Sequence, residues 1–347
     1  MRTHENRPIG QMSPVAIVFA GCLCLAAPAW GQNGWSPLRA GLNATPQSQA
    51  VFDDGSGPAL YVGGWFNTAG SVNANRIAKW DGTYWSPLGS GLGLPLALTV
   101  FDDGSGPALY AGGRFTTAGG VSASNIARWD GTAWSPLGGG LSGGSGLTSV
   151  WVLAVFDDGS GPALYAGGEF GTAGGVSANR IARWDGSSWL ALGAGLNDTV
   201  HALAAYDDGS GPALYAVGAF TTAGGVSADR IARWDGSSWS ALGAGLDDTV
   251  RALAAYDDGS GPALYAVGDF HTAGGVSANH IARWGSLSVC PCSCDFDPDP
   301  ACNIFDFLAF QTLFVAGDPC ACEQDPDPHC NIFDFLAFQN GFVSGCP

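Results

Sequence analysis

The residues best suited to chemistry crowd between Cys290 and Pro347. Side-chain oxygens recur there at Asp295, Asp297, Asp299, Asn303 and Asp306, and again 28 residues on at Glu323, Asp325, Asp327, Asn331 and Asp334. Oxygens at loop positions 1, 3, 5, 9 and 12 can converge on one hard cation, and calcium is the ion that takes such a set. The same stretch holds eight of the chain's 10 cysteines: Cys290, Cys292, Cys294, Cys302, Cys320, Cys322, Cys330 and Cys346. That density in a short segment implies a disulfide framework or a metal site, and eight cysteines allow 105 pairings. An apolar segment follows each loop, Phe307 to Val315 and Phe335 to Val343, and suits a short helix.

Position 6 of each loop, where the chain turns sharply and glycine is wanted, is Pro300 or Pro328. Proline cannot take a positive φ. Two readings follow: calcium held by loops that disulfides brace, or disulfides alone holding the shape. Zinc is the weaker metal alternative, because the N-terminus reads as an export signal. Arg2 and Arg7 precede an apolar run from Val15 to Ala27, and Ala27-Pro28-Ala29 has the small-residue pattern of a cleavage site. Residues 1–31 are therefore expected to be a signal peptide, with lipid attachment at Cys22 as the lesser alternative, and the mature chain to be secreted or held at the cell surface. No other stretch has the apolar length of a membrane span.

Charge narrows the partners. The 347 residues carry a net charge of −17, and only 12% are charged. Nucleic acid and anionic membrane are poor partners for that sign. The chain is also too apolar for a disordered acidic polymer, and its 54 glycines fall at regular intervals.

Those intervals expose the element that must carry any site in the body of the chain. Phe52-Asp53-Asp54-Gly55-Ser56-Gly57-Pro58-Ala59-Leu60-Tyr61 recurs from Phe101, Phe156, Tyr206 and Tyr256. A W-x-x-L segment opens at Trp35, Trp85, Trp134, Trp189 and Trp239, at spacings of 50, 49, 55 and 50. A fixed period of this length signals a propeller or solenoid. Each repeat resolves into four short strands; in the fourth they are Val200 to Tyr206, Ala213 to Val217, Ile231 to Trp234 and Trp239 to Leu242. Turn chemistry separates the first two strands, and an Asp-Gly turn the last two. The first W-x-x-L segment precedes the first repeat, and the last repeat ends at Trp284 with none behind it. A ring explains the offset: the strand from Trp35 to Leu38 completes the final blade, which removes two bare sheet edges. The expected fold is all-β, a five-bladed propeller over 32–285. A linker (286–293) and a small, disulfide-rich loop–helix module (294–347) follow.

Leu60-Tyr61-Val62-Gly63-Gly64, a third strand ending in Trp, and a turn into W-x-x-L together resemble the kelch repeat of kelch and galactose-oxidase-type propellers. Phe115-Thr116-Thr117-Ala118-Gly119-Gly120, Asn179 to Gly186 and Trp239 to Leu246 also resemble repeats of fungal cortical polarity-marker propellers. The duplicated tail, with its calcium-type loops of EF-hand spacing and its ending Gly345-Cys346-Pro347, resembles a dockerin. That likeness implies attachment to a cohesin-like or envelope partner. The kelch likeness implies fold but spreads over binding proteins and enzymes alike.

Within the propeller, residues repeated five times build five equal positions, whereas a site needs unlike residues. The Asp pairs read as solvated turns. Lys79, Arg128, Arg183, Arg233 and Arg283 read as partners of neighbouring Asp, and Trp80, Trp129, Trp184, Trp234 and Trp284 as packing between blades. The residues that break the repeat are the candidate binding face: Trp65, Arg114, Glu169, Asp269, His271 and His280. The propeller has no Cys, which excludes the galactose-oxidase copper site, and no catalytic constellation stands out. The expected function is a non-enzymatic, displayed binding protein for a protein or glycan. A secreted carbohydrate-active or oxidative enzyme and a purely structural envelope protein are the alternatives.

Overall fold

A computed structural model describes residues 34–144, 146–257 and 261–285. The expected signal peptide, linker and dockerin-like module, with all their candidate ligands and cysteines, lie outside the described residues. Residues from Leu38 onward belong to one compact unit; residues 34–37 belong to another and carry no strand. Among the described residues there is no helix, and none long and apolar enough to cross a membrane.

The chain folds into a series of antiparallel sheets, one main sheet per repeat. In repeat three the strands are Ser149–Asp157, Pro162–Glu169, Ile181–Trp184 and Trp189–Ala191, hydrogen-bonded in chain order. Repeat four repeats this with Val200–Asp207, Pro212–Gly218, Ile231–Trp234 and Trp239–Ala241. Repeats one and two have the same four strands, the second with a longer first pair, Leu92–Asp102 and Pro107–Ala118. Repeat five has three: Val250–Asp257, Pro262–Gly268 and Ile281–Trp284. Composition explains the strands. Ala-Leu-Tyr-(Ala/Val) has apolar residues on both faces because both faces are covered. Leu164, Tyr165 and Ala166 are all fully buried.

Sheets pack face to face in sequence order. Phe156, Tyr165 and Ile181 of repeat three meet Val200, Leu203, Leu214 and Ala216 of repeat four in one apolar cluster. Small residues permit the close approach. A Cβ on Gly186 would lie 2.7 Å from the Asp103 carbonyl oxygen, so the Asp-Gly turn of repeat three seats on the Asp turn of repeat two. Two features were not read from the sequence. The polar loop after the second strand contains a two-residue hairpin, Thr222–Ala223 against Val226–Ser227 in repeat four. The leucine four residues after each W-x-x-L segment bridges to the hairpin of the next repeat: Leu42 to Ala69, Leu92 to Ala118, Leu141 to Ala173, Leu196 to Ala223 and Leu246 to Ala273.

A second link joins successive repeats. The indole of each fourth-strand tryptophan donates to the W-x-x-L carbonyl of the segment before it. The pairs are Trp85 to Leu38 (3.0 Å), Trp134 to Leu88 (3.2 Å), Trp189 to Leu137 (3.3 Å) and Trp239 to Leu192 (2.9 Å). Each indole covers a hairpin glycine, and a Cβ on Gly70, Gly119, Gly174 or Gly224 would lie 2.7–3.1 Å from a Trp Cδ1. Gly274, the equivalent in repeat five, has nothing within 4 Å. An apolar cavity of about 200 Å³ lies there, lined by Leu242, Leu246, Leu264, Ala273, Gly274 and Trp284 among others. Ile281 is 58% exposed and Trp284 42%, whereas Ile77, Ile126 and Ile181 are fully buried.

Candidate functional site

Antiparallel order puts the first–second and third–fourth turns on one edge of every sheet, and the hairpins and connecting segments on the other. The first edge, the turn edge, is built alike in every repeat where it is described. In repeat three, Asp157 Oδ1 accepts from the backbone N–H groups of Gly159 (2.9 Å) and Gly161 (3.0 Å), so it caps the turn, as the sequence suggests. Asp158 does something else. It turns inward to accept from Tyr165 Oη (2.9 Å) and faces Arg183 Nε at 3.3 Å. Equivalent triads are Asp54–Tyr61–Lys79, Asp103–Tyr110–Arg128 and Asp208–Tyr215–Arg233. The second Asp of each pair is thus a partly buried brace, a correction to the solvated-turn reading. The cation expected beside it is present in all four.

The electrostatics follow from that enclosure. Burial pushes the Asp158 carboxyl up, but the hydrogen bonds from Ser160 and Tyr165, with Arg183 nearby, outweigh it and hold the group below its ordinary value. Burial, reinforced by the carboxylate beside it, pushes the Tyr165 phenol well above its usual value. Both groups are locked in one protonation state near neutrality. The triads brace; they present no reactive atom.

The opposite edge differs from repeat to repeat. Trp65, Arg114, Glu169 and Asp269 occupy one structural position at the end of the second strand, where repeat four has Ala219. Facing it, the first strand of every repeat carries a bulge. Pairing skips one residue between Pro46 and Ser48, Pro95 and Ala97, Val150 and Val152, Val200 and Ala202, and Val250 and Ala252. The skipped residues are Gln47, Leu96, Trp151, His201 and Arg251. A bulge frees one residue from the ladder and re-aims its side chain, which is why bulges collect beside functional sites.

Side chains from four repeats then meet in a row. The Arg114 guanidinium lies 5.4 Å from the Trp151 ring centroid, and its Nε donates to Ser149 Oγ at 2.6 Å. Trp151 meets His201 edge-on at 6.2 Å. His201 Nδ1 lies 3.0 Å from the Val250 carbonyl oxygen. Arg251 grips Asp269 with two bonds of 2.9 and 2.6 Å. These bonds, followed by weaker pulls from His280 and His201, hold the Asp269 carboxyl below its usual range.

Of the six residues the sequence nominated, the structure brings Arg114 and Asp269 into this row. It sets His271 and His280 against each other with ring centroids 4.8 Å apart, at its repeat-five end. His280 takes the left-handed backbone conformation (φ 75°) shared by Arg76, Asn125, Arg180 and Arg230. Trp65 faces Arg76 at 5.9 Å in repeat one, and Glu169 lies by Gly144 and Gly146 in repeat three. Glu169 and Asp269 form no carboxylate pair. Sequence reasoning missed Trp151 and Arg251, and placed His201 only as part of the strand Val200 to Tyr206. The signal was a single column of the first strand that reads Gln, Leu, Trp, His, Arg in this chain's own five copies. Among the described residues no group of three His, Cys, Asp or Glu side chains could hold a metal.

No protein-family model matches the chain, and no curated protein matches it.

Proposed function

We propose that this chain is an exported, non-enzymatic binding protein: a kelch-like five-bladed propeller that presents its varied edge to a protein or glycan, displayed through a dockerin-like tail. The observation that carries the reading is the row Arg114–Trp151–His201–Arg251–Asp269. Five copies of one scaffold differ most where side chains of unlike chemistry converge, and they agree where residues only brace. Aromatic, cationic and carboxylate groups side by side on rigid strands make a recognition surface. Purified full-length chain, screened against arrayed glycans and purified proteins, should capture a ligand that Trp151→Ala and His201→Ala each weaken. Capture that both variants leave untouched would sink the reading.

Closure of the ring belongs to the same proposal. The segment Trp35 to Leu38 is the one W-x-x-L copy that precedes the repeats, and repeat five is the one with no fourth strand among the described residues. In that closure the Trp35 to Leu38 segment supplies the fourth strand of repeat five, because its W-x-x-L sequence matches the segments opening at Trp85, Trp134, Trp189 and Trp239. The tail, by its resemblance, anchors the protein to a cohesin-like or envelope partner, with calcium in its two loops.

A further inference from the structure

One departure from the repeat changes its length, and it falls where repeat two meets repeat three. The spacing of 55 between Trp134 and Trp189, against 49 or 50 elsewhere, comes from extra residues in the connection that enters repeat three. Those residues lead into Leu147, Thr148 and Ser149, beside Arg114. Ser149 is the only fully buried polar residue among those described. It accepts the Arg114 Nε proton and passes its own to the Leu147 carbonyl oxygen at 2.8 Å. Repeats one, four and five have Thr at the Ser149 position but no arginine opposite it. The buried serine, with the Trp151 ring 5.4 Å away, therefore fixes one guanidinium in place, at the mouth of an open cleft of about 490 Å³.

Among the described residues no carboxylate pairs with that guanidinium. None of the ion pairs among the described residues involves Arg114, whereas Arg128, Arg183, Arg233 and Arg251 each face an Asp. With Nε occupied, its two terminal nitrogens remain as a planar fork, the geometry that takes a carboxylate with two parallel bonds. The rest of the cleft is hydroxylic and apolar in turn. Thr116, Thr117 and Thr148 offer donors and acceptors, and Leu147, 70% exposed, offers a C–H surface. A sugar ring presents those two kinds of surface. The net charge of −17 works against anionic ligands in general, so the fork must hold the carboxylate by short-range, directional bonds.

We infer that the Arg114 cleft binds a carboxylated saccharide, a uronic acid unit of an oligosaccharide, with the carboxylate on the Arg114 fork. The inference rests on the binding-protein reading and names a ligand class for part of that edge. The test is calorimetry on the full chain with oligogalacturonate, a neutral galactan oligosaccharide of the same length, and a glutamate-rich peptide. Saturable binding of oligogalacturonate is expected, about tenfold or more tighter than the neutral sugar. Arg114→Gln should cost about tenfold or more, Arg114→Lys less, and Ser149→Ala several-fold in a chain that still melts cooperatively. Equal affinity for the neutral sugar, no uronate binding, binding of the peptide alone, or full affinity in Arg114→Gln would each overturn the inference. If it falls while Trp151→Ala and His201→Ala still abolish capture of another arrayed ligand, the broader reading survives without it.

Discussion

The two edges of the sheets come from the same copies of one repeat and have diverged in opposite senses. On the turn edge, Asp54, Asp103, Asp158 and Asp208 each accept from a buried tyrosine and face a cation, with Tyr–Asp distances of 2.8 to 3.0 Å. On the other edge the bulge position holds Gln47, Leu96, Trp151, His201 and Arg251, no two alike. A brace works best when each copy matches, because each sheet seats on the turn of the one before it. A recognition surface works only when copies differ. The contrast separates scaffold from site without a ligand in view.

The largest effects should come from the links that both edges depend on. Trp239→Ala empties a buried indole seat and loses the bond to Leu192, and should cost about 3–5 kcal/mol in denaturant unfolding. Trp35→Ala should cost a similar amount if the ring closes as proposed, and almost nothing if it does not. Next come the braces. Tyr165→Phe removes the tyrosine donor from Asp158 Oδ2 and leaves only the Ser160 bonds on Oδ1, and should cost about 1–3 kcal/mol, read by thermal melting, with ligand capture unchanged.

The braces also set an acid limit. Asp103, Asp158 and Asp208 have folded values below the ordinary 3.8. Groups lowered on folding contribute stability that is fully present above their unfolded value and is lost as pH falls through their folded value. Melting temperature should therefore hold from neutrality to about pH 5 and fall below about pH 4, and Tyr165→Phe should make that fall shallower. The smallest stability effect is expected on the varied edge. His201→Ala should shift stability by about 0.5 kcal/mol or less, yet weaken capture. A large loss of stability there would blur the contrast between the edges.

Much of this was legible before the structure. The strand expected from Ile231 to Trp234 is found at those residues, and that from Val200 to Tyr206 gains one residue, Asp207. Apolar runs between Gly-, Pro- and Asp-rich turns mark strands plainly. The bulges were not legible. A skipped pairing inside Val200-His201-Ala202 changes no hydrophobic period, because the neighbouring residues are apolar on both faces. The inward turn of Asp158 was hidden too, since Asp-Asp-Gly reads as a turn whichever way the second carboxylate points; only the tyrosine seven residues on reveals its partner. Arg114 and Asp269 were found because they break a repeat, and Trp151 and Arg251 break it just as clearly one strand away.

The most direct test combines Arg114→Gln, Trp151→Ala and His201→Ala in one chain and measures melting and ligand capture together. The account predicts a melting temperature close to the parent's and no capture on the glycan and protein arrays. Undiminished capture by that folded variant would contradict it and move the site off this edge.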